Sequence, residues 1–257
     1  MSKKRKWIIG IVVALALVIG VPAALFMSAF IGNAPLEDGK ALGPAREVKI
    51  SFVSAYVLDA GDGSLALIDA GADAKGEALL AAISGMGKKP DDVRAIFFTH
   101  GHSDHTAAAP VFPKADIYAL EAERAIVEGT SVGHSPLANV RSPKPTGIHI
   151  TKPLKDGDAV TIGKLTVRVF SIPGHTEGSA AYLAGGVLFL GDAANNKKGR
   201  VSGPPWIFSD DSKQGAASLR TLAGRVKDAD PPVKFLAFAH SGSLEGSEVL
   251  GRLAEAQ

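Results

Sequence analysis

The chain has 257 residues, 46% of them hydrophobic and 21% charged, a length that allows one large domain plus a short attached segment. Its net charge of +2 comes from Lys3, Lys4, Arg5 and Lys6; without them 24 Lys and Arg face 26 Asp and Glu, a balance of −2 that excludes a polyanion-binding surface, and no nucleic-acid partner is expected. Having no cysteine, the chain offers no disulfide, thiolate nucleophile or thiolate ligand, so any metal must be held by His, Asp or Glu.

Residues 7–32 form an uncharged run of 26 residues, about 39 Å long as a helix against a hydrocarbon core of about 30 Å. This predicts a transmembrane signal-anchor in residues 1–33, its four cations cytoplasmic and the following domain on the periplasmic or cell-surface side. The alternative is a cleaved signal peptide, with Val21-Pro22-Ala23 as the processing site and a secreted product. Residues 34–46, rich in proline, glycine and mixed charge, suit a linker. The main domain is expected over 47–257.

That domain begins with two β-rich runs joined by an Asp-Gly hairpin over 59–64. Leu79, Leu80 and Ile83 at helical spacing predict a helix over 74–86, with Gly85 and Gly87 as stop signals. The apolar run 93–98 predicts a buried strand. A short helix before Pro110, a strand over 117–120 and a helix over 121–128 follow. Residues 129–147 hold three prolines and no sustained period, and read as a loop on the rim of a site. Further hairpins are expected over 159–172 and 179–190, a polar loop over 195–211, a helix over 212–228, a strand over 235–239 and a closing helix over 243–256. This order predicts an α/β fold with two β-sheets face to face and helices outside.

The chemistry concentrates where the strand over 93–98 ends, in "FFTHGHSDHTAAAP". His100, His102, Asp104 and His105 fall within six positions. His100 and His102 can point the same way from extended backbone, and Gly101 permits close approach. Taken singly, Asp104 could merely cap a helix. Together the four residues point to a metal, and three later residues recur in the same setting. His175 in "SIPGHTEGS", Asp192 in "VLFLGDAA" and His240 in "FLAFAHSG" each end an apolar run. His134 and His149 lack that context and read as surface residues.

These residues resemble the metallo-β-lactamase fold superfamily, whose signature is H-x-H-x-D-H followed by a later His, Asp and His. The likeness extends over about residues 48–240, and Asp69 in "LIDAG" resembles the family's early strand-end aspartate, a partner lying behind the metal ligands. The resemblance implies a four-layered αββα sandwich, two mixed β-sheets flanked by helices, around a dinuclear centre, usually of zinc, with iron or manganese as alternatives. His100, His102 and His175 would hold one ion, Asp104, His105 and His240 the other, and Asp192 would bridge. Two ions so placed acidify a shared water to a hydroxide nucleophile and polarise the bond it attacks, with Asp104 as the catalytic carboxylate.

Within the superfamily, Asp192 stands where metallo-β-lactamases generally carry cysteine or serine, so the ligand set resembles glyoxalase II-type thioesterases, lactonases and phosphodiesterases. Glyoxalase II enzymes add a C-terminal helical region, and only 17 residues follow His240. A small ester, lactone or thioester is the expected small-molecule substrate. A phosphodiesterase, a β-lactam hydrolase and a mononuclear-iron persulfide dioxygenase are the alternatives. Lys197, Lys198 and Arg200 are candidates for holding a substrate anion, and Trp206, Ile207 and Phe208 for a pocket wall. The oligomeric state is left open.

Overall fold

The computed structural model describes residues 2–15, 20–246 and 248–256. The chain divides into two compact units, Met1–Gly32 and Asn33–Gln257. Among the described residues the first holds helices α1 (Lys3–Leu15) and α2 (Val21–Ser28), of 13 and 8 residues.

This corrects the expected membrane anchor. Among the described residues no helix is long and apolar enough to cross a membrane. Thirteen residues rise about 20 Å, short of a core of about 30 Å, and the first four of them, Lys3 to Lys6, are cations. Residues 16–19 of the expected span lie outside the described residues. The transmembrane signal-anchor, the membrane partner and the membrane-anchored placement inferred from that span fall together.

In the second unit the strands run β1 (Ala41–Leu42), β2 (Ala45–Ile50), β3 (Val53–Asp59) and β4 (Leu65–Ile68), then helix α3 (Glu77–Gly85), β5 (Val93–Phe97), helix α4 (Ser103–Thr106), β6 (Asp116–Leu120), helix α5 (Arg124–Val127) and β7 (Lys152–Leu154). These seven strands form one sheet in sequential order, antiparallel from β1 to β4 and parallel from β4 to β7. Next come β8 (Ala159–Ile162), β9 (Leu165–Ser171), β10 (Ala180–Ala184), β11 (Val187–Phe189), the small hairpin β12 (Asn195–Lys197) and β13 (Arg200–Ser202), helix α6 (Ser212–Val226), β14 (Phe235–Ala237), β15 (Leu244–Glu245) and helix α7 (Val249–Ala254). The second sheet has the order β15-β14-β11-β10-β9-β8, with β11 and β14 parallel.

Strand alternation sorts the apolar residues into three layers. Tyr56, Leu58, Phe97, Val167, Val169, Tyr182 and Phe189 pack between the sheets. Val57, Leu67 and Phe98 meet Leu79 and Ile83 of α3 on one outer face, and Leu183, Leu188 and Phe238 meet Leu219, Leu222 and Leu253 of α6 and α7 on the other. The result is the αββα sandwich, two mixed sheets flanked by helices. Each large side chain buried there contributes about 1.5–3 kcal/mol, so the strand ends that carry the site rest on a stiff base. Helix α6 starts where Asp211 accepts the Lys213 and Gln214 N–H groups. The closing helix is shorter than its pattern suggested, because Leu244 and Glu245 pair along β14. The expected loop over 195–211 contains the β12–β13 hairpin.

Candidate metal centre

All seven candidate ligands lie at one edge of the sandwich. His100 follows β5, His102 precedes α4, Asp104 and His105 occupy its single turn, His175 lies in the turn after β9, Asp192 follows β11 and His240 follows β14. The sheets are tied together at this edge. Tyr182 Oη donates to Phe98 O at 2.7 Å and Ala180 N to Thr99 O at 2.8 Å, while Tyr56 Oη donates to Phe238 O at 2.6 Å and Ser54 N to Ala239 O at 2.8 Å. The peptides just before His100 and His240 are therefore pinned from the opposite sheet.

His100 Nε2 lies 3.0 Å from His102 Nδ1 and 3.2 Å from His175 Nε2, and the last two are 3.1 Å apart. Nitrogens bound at 2.0–2.1 Å to a tetrahedral ion stand about 3.3 Å apart, so this triad suits one ion. A second group forms where Asp104 Oδ2 approaches His240 Nε2 at 3.4 Å and His105 Nε2 at 3.7 Å. Asp192 faces both groups. Its Oδ2 is 3.6 Å from His175 Nε2 and 3.2 Å from His240 Nε2, and its Oδ1 is 3.3 Å from His105 Nε2. His105 Nε2 and Asp192 Oδ1 are buried and face each other without the alignment of a hydrogen bond. Orphaned donor atoms of this kind fit a cation between them.

The outward-facing nitrogens are already occupied. His105 Nδ1 meets Asp69 Oδ2 at 2.9 Å, and His240 Nδ1 donates to Phe52 O at 2.9 Å. His175 Nδ1 lies 3.2 Å from Ser209 Oγ, whose own hydrogen goes to Pro205 O, and His100 Nδ1 lies 3.2 Å from Thr99 Oγ1, which donates to Asp69 Oδ2. In both pairs the hydroxyl is left to accept, so the imidazole carries its hydrogen on Nδ1. Four rings are thereby held with Nε2 turned inward, as metal-ligating histidines are held.

Electrostatics divides the two groups. Burial and neighbouring imidazoles push His100 well below its ordinary range, burial lowers His102, and burial lowers His175 to about 3. These three stay neutral and keep their lone pairs. Burial opposes the charged form of His105 and His240 as well, but the carboxylates of Asp192 and Asp104 outweigh it, raising His105 far up and His240 to about 10. Against burial, those imidazoles hold Asp104 down at about 2 and Asp192 well below the ordinary carboxylate range. Protons on His105 and His240 thus supply positive charge where a divalent cation would otherwise supply it.

Asp69 lies behind the cluster and also accepts the Thr99 N–H at 2.8 Å. Asp69→Ala leaves the Thr99 N–H and His105 Nδ1 unpartnered, and is expected to weaken zinc binding by about 10–100-fold, read by competition with a chromophoric chelator; unchanged affinity would remove Asp69 from the site. Lys197, Lys198 and Arg200 lie in the β12–β13 hairpin and make no hydrogen bond or ion pair with the cluster among the described residues. His134 and His149 are exposed and outside the cluster, and Trp206 is 57% exposed. Thr99, Ser209 and the Phe52 carbonyl were not picked out from sequence. Only Thr99, directly before His100, carried a signal there. Exposed Arg141, in the 129–147 loop, is near enough to help lower His102.

The sequence profile of the Metallo-beta-lactamase superfamily matches residues 48–240. A hydroxyacylglutathione hydrolase of Aeromonas hydrophila is 31% identical over 136 residues, covering 52% of this chain and 44% of its own. One from Gloeobacter violaceus is 33% identical over 171 residues, covering 62% and 58%. The chain spans about half the length of the curated relatives it matches. Among solved structures, a B3 metallo-beta-lactamase with an active-site glutamic acid shares the fold with a TM-score of 0.66 at 20% identity, over 90% of both chains.

Proposed function

Because the chain belongs to the metallo-beta-lactamase superfamily, we propose that it is a metallo-hydrolase that cleaves a small ester, lactone or thioester at a dinuclear centre. His100, His102 and His175 would hold one ion, Asp104, His105 and His240 the second, and Asp192 would be shared. The observation that carries this reading is the inward set of donor atoms, four of them on rings whose other nitrogen is already engaged. Zinc suits such a nitrogen and oxygen donor set, which iron and manganese can also use. A bound pair supplies Lewis-acid polarisation of a carbonyl oxygen and acidification of a water.

The chain's own groups do the rest. Asp104 keeps 27% of its side chain exposed and stays ionised, so it can accept a hydrogen bond from an incoming water and hold it in line. His102 is also only partly buried, and these two residues mark the side from which substrate arrives. Thioesters stand first among the three classes because the relatives above are hydroxyacylglutathione hydrolases, and Asp192 supports the same side of the superfamily. Arg141, a cation near His102, supports a substrate with weak negative charge.

The test is a screen of zinc-loaded full-length chain against matched esters, lactones, thioesters, a phosphodiester and a chromogenic lactam. Turnover is expected to be fastest on a member of the first three classes. Faster turnover of the lactam or the phosphodiester would overturn the substrate assignment, as would oxygen consumption on a persulfide by the iron-loaded chain.

A further inference from the structure

Glu123 follows β6 in a short helical turn and is completely buried, with no Lys, Arg or His paired to it among the described residues. Its carboxylate spans two loops. Oε1 accepts the Gly101 N–H at 2.7 Å, while Oε2 accepts the Thr176 hydroxyl at 2.9 Å and the Gly178 N–H at 3.0 Å. Gly101 lies between His100 and His102, and Thr176 directly follows His175. One side chain therefore holds a residue next to every histidine of the first group, Gly101 by its backbone and Thr176 by its hydroxyl. The approach is close enough to require glycine: a Cβ on Gly178 would lie 2.4 Å from Glu123 N, and one on Gly101 would lie 2.6 Å from Val127 N.

An acid buried without a cation is a costly way to fill space, and an apolar residue of similar volume would pack with less penalty. Here burial pushes the carboxyl up to about 7, although all three hydrogen bonds favour the ionised form. The second group takes its orientation elsewhere, from Asp69 behind His105 and Phe52 O behind His240.

We propose that Glu123 is a positioning residue that sets the spacing of His100, His102 and His175, and so the grip of that triad on its ion. It does so without touching the ion. The inference rests on the metal-centre reading above. It differs from a general structural role in being one-sided, because the hydrogen bonds that Glu123 accepts among the described residues come from Gly101, Thr176 and Gly178, beside the first group.

Glu123→Gln keeps the volume but replaces one acceptor oxygen by an NH2 group. In either orientation of the amide that group faces an N–H it cannot accept, so one loop loses its anchor. The experiment titrates zinc into metal-free full-length chain against a competing chromophoric chelator. In E123Q one of the two ions is expected to bind about tenfold or more weakly, the other being unchanged. Thr176→Val, which removes one donor at constant size, is expected to weaken the same ion by a smaller factor. Denaturant unfolding of the metal-free variants checks that both fold. Unchanged affinities in both variants, or equal loss for both ions, overturns the positioning role. A wild-type chain that takes up no zinc overturns it together with the metal centre.

Discussion

His102→Ala and Asp104→Ala are each expected to lower kcat/KM by about 10³-fold while leaving the metal-free domain folded. His102 Nδ1 lies 3.0 and 3.1 Å from the other two nitrogens of its triad, so alanine reduces three donors to two. Asp104 Oδ2 faces both His105 and His240, and its loss leaves the second group with no carboxylate but Asp192. Both side chains are partly exposed, so neither truncation opens a sealed cavity. The metal-free His102→Ala domain is expected to keep its unfolding free energy within about 1 kcal/mol of wild type, and Asp104→Ala, which removes a carboxylate from His105 and His240, to lose more while still unfolding cooperatively. Steady-state kinetics on the substrate found in the screen checks the first expectation, and activity within tenfold of wild type would remove that residue from the centre.

Stripping the chain with a chelator is expected to abolish turnover, and restoring zinc to recover it with release of protons. With no ion bound, His240 holds its proton up to about 10 and His105 holds its own well above the ordinary range. A histidine must lose that proton to ligate. Zinc affinity is therefore expected to climb with pH from neutrality towards about 10, and calorimetry in buffers of different ionisation enthalpy reads the protons directly. Zinc uptake with no proton released would contradict the placement of His105 and His240 in the site. The same shift acts on stability. For His240 the folded value lies above the unfolded one, so its contribution is complete below about 6.5 and disappears as pH rises through about 10. The metal-free domain should then unfold more readily at pH 10 than at pH 7, a loss that bound zinc offsets by supplying the positive charge itself.

Much of this architecture was legible along the chain. The β-rich runs of β3 and β10, the Asp-Gly hairpin and the helical spacing of Leu79 and Ile83 are local patterns, and burial acts on them directly. The N-terminal run misled for a physical reason. Hydropathy counts apolar residues, whereas crossing a bilayer requires a helix long and apolar enough to span it, which none among the described residues is, and α1 opens on four cations. Glu123 was passed over because, between Glu121, Arg124 and Glu128, it looks like one more charge on a solvated helix face. Nothing local shows that its carboxylate turns inward.

The seven candidate ligands could be named from residue type and strand-end position, because donor chemistry belongs to each side chain and a strand end is a local event. The tertiary structure decided which nitrogen of each ring turns inward and which oxygens hold the rings there. Asp69 reaches His105 across 36 positions, and His100 meets His175 across 75. The first depends on the pairing of β4 with β5 and the second on the docking of two sheets, and the Phe52 carbonyl behind His240 is a backbone group that every residue type possesses.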